Sequence, residues 1–176
     1  MNPAAKKILS LFASLIIAIP LYIFLHEGGH ALTALLCGAK ITQFSILEAY
    51  TGYNGGVFTP FSLSLFHIAG MLLPVFISII YMFSYRIKSK NVFYRIFSFM
   101  FLIISVGSVL SWVIIPVLYL LNTAPQGDDV TNFLISSGLN PWTVFAGAVA
   151  LIVCCLCIAW KKRIIQNYWT AVKADS

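Results

Sequence analysis

The residues best suited to chemistry stand together as His26-Glu27-Gly28-Gly29-His30. Residues four apart share one face of an α-helix, so both imidazoles can reach a single metal ion. Glu27 is turned by about 100° from His26, which lets its carboxylate approach a metal-bound water without ligating the metal. Zinc lowers the pKa of such a water toward about 7, and a neighbouring carboxylate can then take its proton and pass it to a leaving amine. The run therefore points to metal-assisted hydrolysis, with Zn2+ as cofactor, His26 and His30 as ligands and Glu27 as the catalytic carboxylate.

Five residues of this kind also occur by chance, as two polar histidines in a helix bundle, so the surroundings carry weight. Of 176 residues, 60% are hydrophobic and 9% charged, and the mean hydropathy is +0.94. Such a composition belongs to a membrane protein. A carboxylate at helix depth in a bilayer costs about 2.5–3.5 kcal/mol even on the gentler insertion scale, so residues like Glu27 usually face a cavity and serve a function. Gly28 and Gly29 each weaken a helix by about 1 kcal/mol relative to alanine. Close approach of a neighbouring helix or of a substrate backbone would need their smallness, although small-residue helix packing alone would also use it.

The elements that position the motif follow from the apolar runs. A membrane crossing takes about 20 apolar residues, and the runs predict an all-α membrane protein with about four transmembrane helices, near 8–37, 61–85, 92–121 and 142–160, in one domain spanning 1–176. The first run follows Lys6 and Lys7 as a signal peptide would, but it is too long for one and carries the motif inside it. The third is long enough to tilt, or to bend at Pro116. Between the first two lies a mixed segment, predicted to form a short β-hairpin or re-entrant loop with Asn54-Gly55 as its turn. Its edge could take up an extended peptide as an added strand.

The net charge of +6 does not point to nucleic acid, because the basic residues sit in short clusters at the ends of apolar runs. With four crossings and a cytoplasmic amino terminus, ten of them fall inside, from Lys6 to Lys173, and Lys40 alone falls outside. The positive-inside rule thus predicts both termini in the cytoplasm. The end of the first helix, the hairpin, the start of the second helix and the Asp128-Asp129 loop then share the outer side. Cys154, Cys155 and Cys157 lie toward the inner end of the last helix and read, like Cys37, as small hydrophobes.

A catalytic zinc usually takes three protein ligands plus water, and two histidines leave one place open. On the outer side the candidates are Asp128, Asp129 and His67. The two aspartates could equally be a solvated loop, and His67 a hydrogen-bonded helix histidine.

These residues resemble the site-2 protease family of intramembrane zinc metalloproteases, in particular its small bacterial-type members. His26 to Lys40 is similar to that family's H-E-x-x-H followed by small and apolar residues and a glycine. Ala69-Gly70-Met71-Leu72-Leu73-Pro74 looks like its A-G-P-x-x-N stretch, with Met71 and Pro74 in place of proline and asparagine. Asn122 to Asp129 looks like a shortened N-x-x-P-x-x-P-x-D-G element, whose aspartate is a zinc ligand in the family. The resemblance implies Asp128 or Asp129 as third ligand, a bacterial cell membrane, and cleavage of a peptide bond in or near a membrane-spanning segment of a membrane protein or peptide substrate held within the lipid bilayer. A metalloprotease-like protein that binds and regulates a partner without catalysis is the first rival. A transporter with His26, Glu27, His30 and His67 along a polar pathway is the second.

Overall fold

The computed structural model describes residues 2–173. Its order is α1 (Pro3–Leu36), a hairpin of β1 (Ala39–Ser45) and β2 (Tyr50–Gly55), α2 (Pro60–Phe83), α3 (Val92–Gly107), α4 (Ser111–Leu120), α5 (Asp129–Ser137), α6 (Pro141–Lys161) and α7 (Ile164–Lys173). Among the described residues, four helical stretches are long and apolar enough to cross a membrane, the third being α3 and α4 joined through a 3-10 turn at Ser108–Leu110. The chain is a multi-pass membrane protein. The departure from α geometry in the third span lies about two turns before Pro116, and α4 runs through that proline.

Local chemistry starts the helices where expected. Thr59 and Ser62 form a reciprocal capping box with Pro60 in the first turn of α2, and Asn91 and Asn140 cap α3 and α6 through their side chains. Each cap satisfies backbone N–H groups that have no partner inside the helix. α1 packs against α2 and α3, α2 against α5, and α4 against both α5 and α6. The core runs from Met71, Val75 and Met82 of α2 through Leu102 and Trp112 to Phe133 of α5. Much of α1 is covered by no other helix, and beyond Lys6 its uncovered residues, such as Phe12, Ile16 and Leu36, are apolar. That is what a lipid-facing surface requires.

The hairpin stands between α1 and α2, but its turn is not Asn54-Gly55. Ile46–Ala49 makes the turn, with Ala49 at φ 48°, whereas Asn54 and Gly55 pair with Lys40 and Ala39 at the base of the ladder. The glycine freedom signalled by the sequence is used to leave the hairpin, at Gly55 (φ 73°) and Gly56 (φ 85°). The hairpin folds back along α1: Phe44 meets the Phe24 ring at 5.8 Å, and the Thr51 hydroxyl donates to the Glu27 carbonyl at 3.1 Å. Two features have no counterpart in the hydropathy runs. They are α5, inside the polar 122–140 segment, and α7, after the last span.

Apart from Lys40, at the start of β1, the basic residues cluster at the ends of the spans away from the hairpin. Lys7 donates to the Val172 carbonyl at 3.0 Å and Lys162 to the Phe83 carbonyl at 3.2 Å, which ties the start of α1 to α7 and the end of α6 to that of α2. The motif lies toward the opposite end, with His26 ten residues, or about 15 Å of helix, from Leu36.

Candidate metal centre

His26 and His30 stand on one face of α1, Nε2 to Nε2 3.3 Å apart. Asp129, the first residue of α5, extends its Oδ2 to 3.4 Å from His26 Nε2 and 3.1 Å from His30 Nε2. A tetrahedral zinc with donors at about 2.0–2.1 Å needs them about 3.3–3.4 Å from one another. The triangle made by two imidazole nitrogens and one carboxylate oxygen fits that edge, and the donor set suits zinc. Among the described residues these three form the one group of histidine, cysteine or acidic side chains whose ligand atoms converge in this way.

The supporting contacts bias the same atoms. His30 Nδ1 lies 2.8 Å from the Phe66 carbonyl of α2. A carbonyl only accepts, so Nδ1 carries the proton, and in the neutral ring Nε2 keeps its lone pair toward the convergence point. Tyr22, one turn before His26 on the same face, brings its hydroxyl to 3.3 Å from His26 Nδ1. For Asp129, burial alone would raise the carboxyl, but the facing imidazoles of His26, His30 and His67 outweigh it and hold the group well below the usual carboxylate range.

Glycines make this geometry possible. A Cβ on Gly29 would run into the Ala69 carbonyl, so α1 and α2 cross here backbone to backbone. A Cβ on Gly70 would stand 2.8 Å from His26 Cε1 and 2.9 Å from His26 Nε2, and nearer still to His30 Nε2. Gly28 is under no such constraint, its closest neighbour being the Leu73 side chain at 3.8 Å.

The two aspartates part company. Asp128 is the N-cap of α5, its Oδ1 accepting from Val130 N at 2.8 Å and Thr131 N at 3.4 Å. That capping bond directs its carboxylate to the backbone and leaves Asp129 to face the histidines. His67 lies beside the group, with Nδ1 3.7 Å from Asp129 Oδ1, an electrostatic contact too long for a hydrogen bond. Glu27 is buried yet lines the same cleft of about 420 Å³, together with Tyr50, Thr51, His67 and Asn132. Tyr22 could have been found from its i, i+4 spacing to His26. The Phe66 carbonyl and Thr51 have no signal in the sequence, because each acts through a contact across elements.

A family model described as Peptidase M50B-like matches residues 8–135, a stretch that holds every residue of the site. No curated protein and no solved structure shows a significant match to the chain.

Proposed function

Because the chain belongs to the Peptidase M50B-like family, a site-2 protease domain, we propose that it is a zinc-dependent endopeptidase that hydrolyses a peptide bond in or near a membrane-spanning segment of another membrane protein. The convergence of His26 Nε2, His30 Nε2 and Asp129 Oδ2 within 3.1–3.4 Å of one another carries this reading. These three residues would hold the zinc. Bound there, zinc supplies a Lewis acid for the scissile carbonyl and a water acidified toward pKa about 7.

The chain's own residues supply the rest. Glu27 takes the proton of the attacking water and returns it to the departing amine, so that the water oxygen joins the carbonyl carbon as the C–N bond breaks. No covalent nucleophile is needed. The Phe66 carbonyl and the Tyr22 hydroxyl hold the two imidazoles in place. A substrate helix hides its amides and has to be unwound locally, and the extended β2 residues Tyr50 and Thr51, which line the cleft, offer a place for the unwound segment. The family resemblance points to a bacterial cell membrane, and the charge distribution supports both termini being cytoplasmic with the cleft toward the outer side.

The test compares zinc content and cleavage of a model transmembrane peptide by the purified full chain and by Glu27→Gln, which keeps the shape and removes the base. Zinc in both, with cleavage falling about 10²–10⁴-fold in the variant, is the expected result. Zinc in both with equal cleavage would remove Glu27 from the mechanism, and wild-type protein that binds no zinc would end the metalloprotease reading.

A further inference from the structure

Beyond the ligands, His67 has no role in the mechanism above, yet its environment is unusual for a spectator. Its Nδ1 is buried and makes no hydrogen bond, which is costly for an imidazole inside a membrane protein unless something completes it. The nearest charged atom described is Asp129 Oδ1 at 3.7 Å, while Oδ2 of the same carboxylate faces His26 and His30. The two carboxylate oxygens are thus divided, one toward the metal locus and one toward His67.

We propose that His67 is the positioning residue of the third ligand: its Nδ1–H donates to Asp129 Oδ1 when a divalent cation engages Oδ2, and so fixes the carboxylate as a one-oxygen ligand. The proposal rests on the zinc reading and assigns His67 a task other than ligation. The frame that would hold His67 opposite Asp129 is already built. The Ser64 and Ser136 hydroxyls meet at 2.9 Å across α2 and α5. Ser64 and His67 share one face of α2, and Asp129 and Ser136, seven residues apart, share one face of α5. This hydroxyl contact therefore joins the two helices on the same faces that carry His67 and the carboxylate. The ring is steadied by its edge contact with Phe66, centroids 5.4 Å apart. Phe66 and His67 would then serve one ligand each, the first through its carbonyl to His30 and the second through its side chain to Asp129.

Closing 3.7 Å to hydrogen-bond distance takes less than an ångström of movement, within reach of a carboxylate rotation on α5. Partners of this kind are worth about 10–100-fold in metal affinity.

The experiment measures zinc affinity of the full chain in detergent by chelator competition, with the visible spectrum of the cobalt-substituted protein alongside, for wild type, His67→Phe and His67→Asn. Phenylalanine keeps the ring and removes the donor, whereas the asparagine amide stands near the position of Nδ1. Affinity about 10–100-fold weaker in His67→Phe, largely restored in His67→Asn, with the same cobalt spectrum throughout, is expected. Wild-type affinity in His67→Phe overturns the proposal. So does a cobalt spectrum that loses a nitrogen ligand in that variant, since His67 would then bind the metal itself. Should His67→Phe fail to fold, His67→Asn decides alone, and affinity reduced tenfold or more overturns the assignment. Failure of the zinc reading looks different, because wild type itself would then bind no zinc.

Discussion

Gly70→Ala is the sharpest perturbation of the centre because it adds one methyl group at the point where both imidazoles meet α2. A Cβ there lies 2.8–2.9 Å from two atoms of the His26 ring, where ordinary contact begins near 3.4 Å. The ring must therefore withdraw by about 0.5 Å, and the closer His30 Nε2 by more. Zinc sites hold their distances to within about 0.2 Å, so the three donors cannot retain the zinc triangle. His30 cannot retreat freely, since its Nδ1 is fixed to the Phe66 carbonyl at 2.8 Å. A loss of about 100-fold in zinc affinity is expected, equivalent to about 2.7 kcal/mol. Stability of the zinc-free chain should fall by no more than about 2 kcal/mol, as overpacking of about 1–3 kcal/mol is partly offset by about 1 kcal/mol of helix propensity gained from alanine. Chelator competition measures the affinity, and thermal melting of the zinc-free protein in detergent measures the fold. Gly28→Ala is the control, because its Cβ meets only a side chain at 3.8 Å, and it should bind zinc as wild type does. Gly29→Ala should lose both zinc and stability, because its Cβ forces α1 from the Ala69 backbone. Wild-type zinc affinity in Gly70→Ala would refute the placement of the two rings.

The neighbouring aspartates give a second contrast: Asp129→Ala should abolish tight zinc binding, whereas Asp128→Ala should keep zinc and lower stability by about 1 kcal/mol through loss of the α5 cap, as read by chelator competition and melting. Equal effects on zinc would remove the distinction between them. For orientation, a reporter fused after Lys173 should be active only in the cytoplasm, and an extracytoplasmic signal would reverse the topology drawn from the basic residues.

How much of this was legible in the sequence depended on the range of the interaction. The spans were readable because a bilayer imposes about 20 apolar residues per crossing, and the shared face of His26 and His30 because one helical turn fixes their relation. The choice between Asp128 and Asp129 was undecided because the 122–140 segment reads as polar loop by hydropathy. Its capping chemistry says more. An aspartate ahead of Val130, Phe133 and Leu134 is an N-cap before an apolar face, and Gly138 at φ 64° supplies the left-handed stop. Once α5 is recognised, Asp128 is bound to the helix start, and of the two aspartates Asp129 is the one that faces the histidines. The hairpin turn failed for the opposite reason, since Ala49 adopts a positive φ that its residue type does not advertise.

His67 and the Ala69-Gly70 resemblance mark α2 in the sequence, but no local pattern could disclose how this helix meets the two histidines. A single turn of it, Phe66 to Gly70, gives its carbonyl to His30, turns the His67 imidazole to Asp129, and leaves out a side chain where the His26 and His30 rings need room. In an α-helix the Phe66 carbonyl also accepts from the Gly70 N–H, so one oxygen uses both lone pairs, and the helix binds the imidazole without surrendering its own ladder. That economy suits a bilayer, where no water stands ready to satisfy a displaced backbone group. It also means that the H-E-x-x-H run cannot define the centre by itself. A one-residue shift of α2 against α1 would leave His26, Glu27 and His30 untouched in sequence, yet would move the carbonyl, the imidazole and the vacant position away from them together. The register between α1 and α2, held by the contact of Gly29 with Ala69, is therefore as much a part of the proposed metal site as the three side chains that would hold the ion.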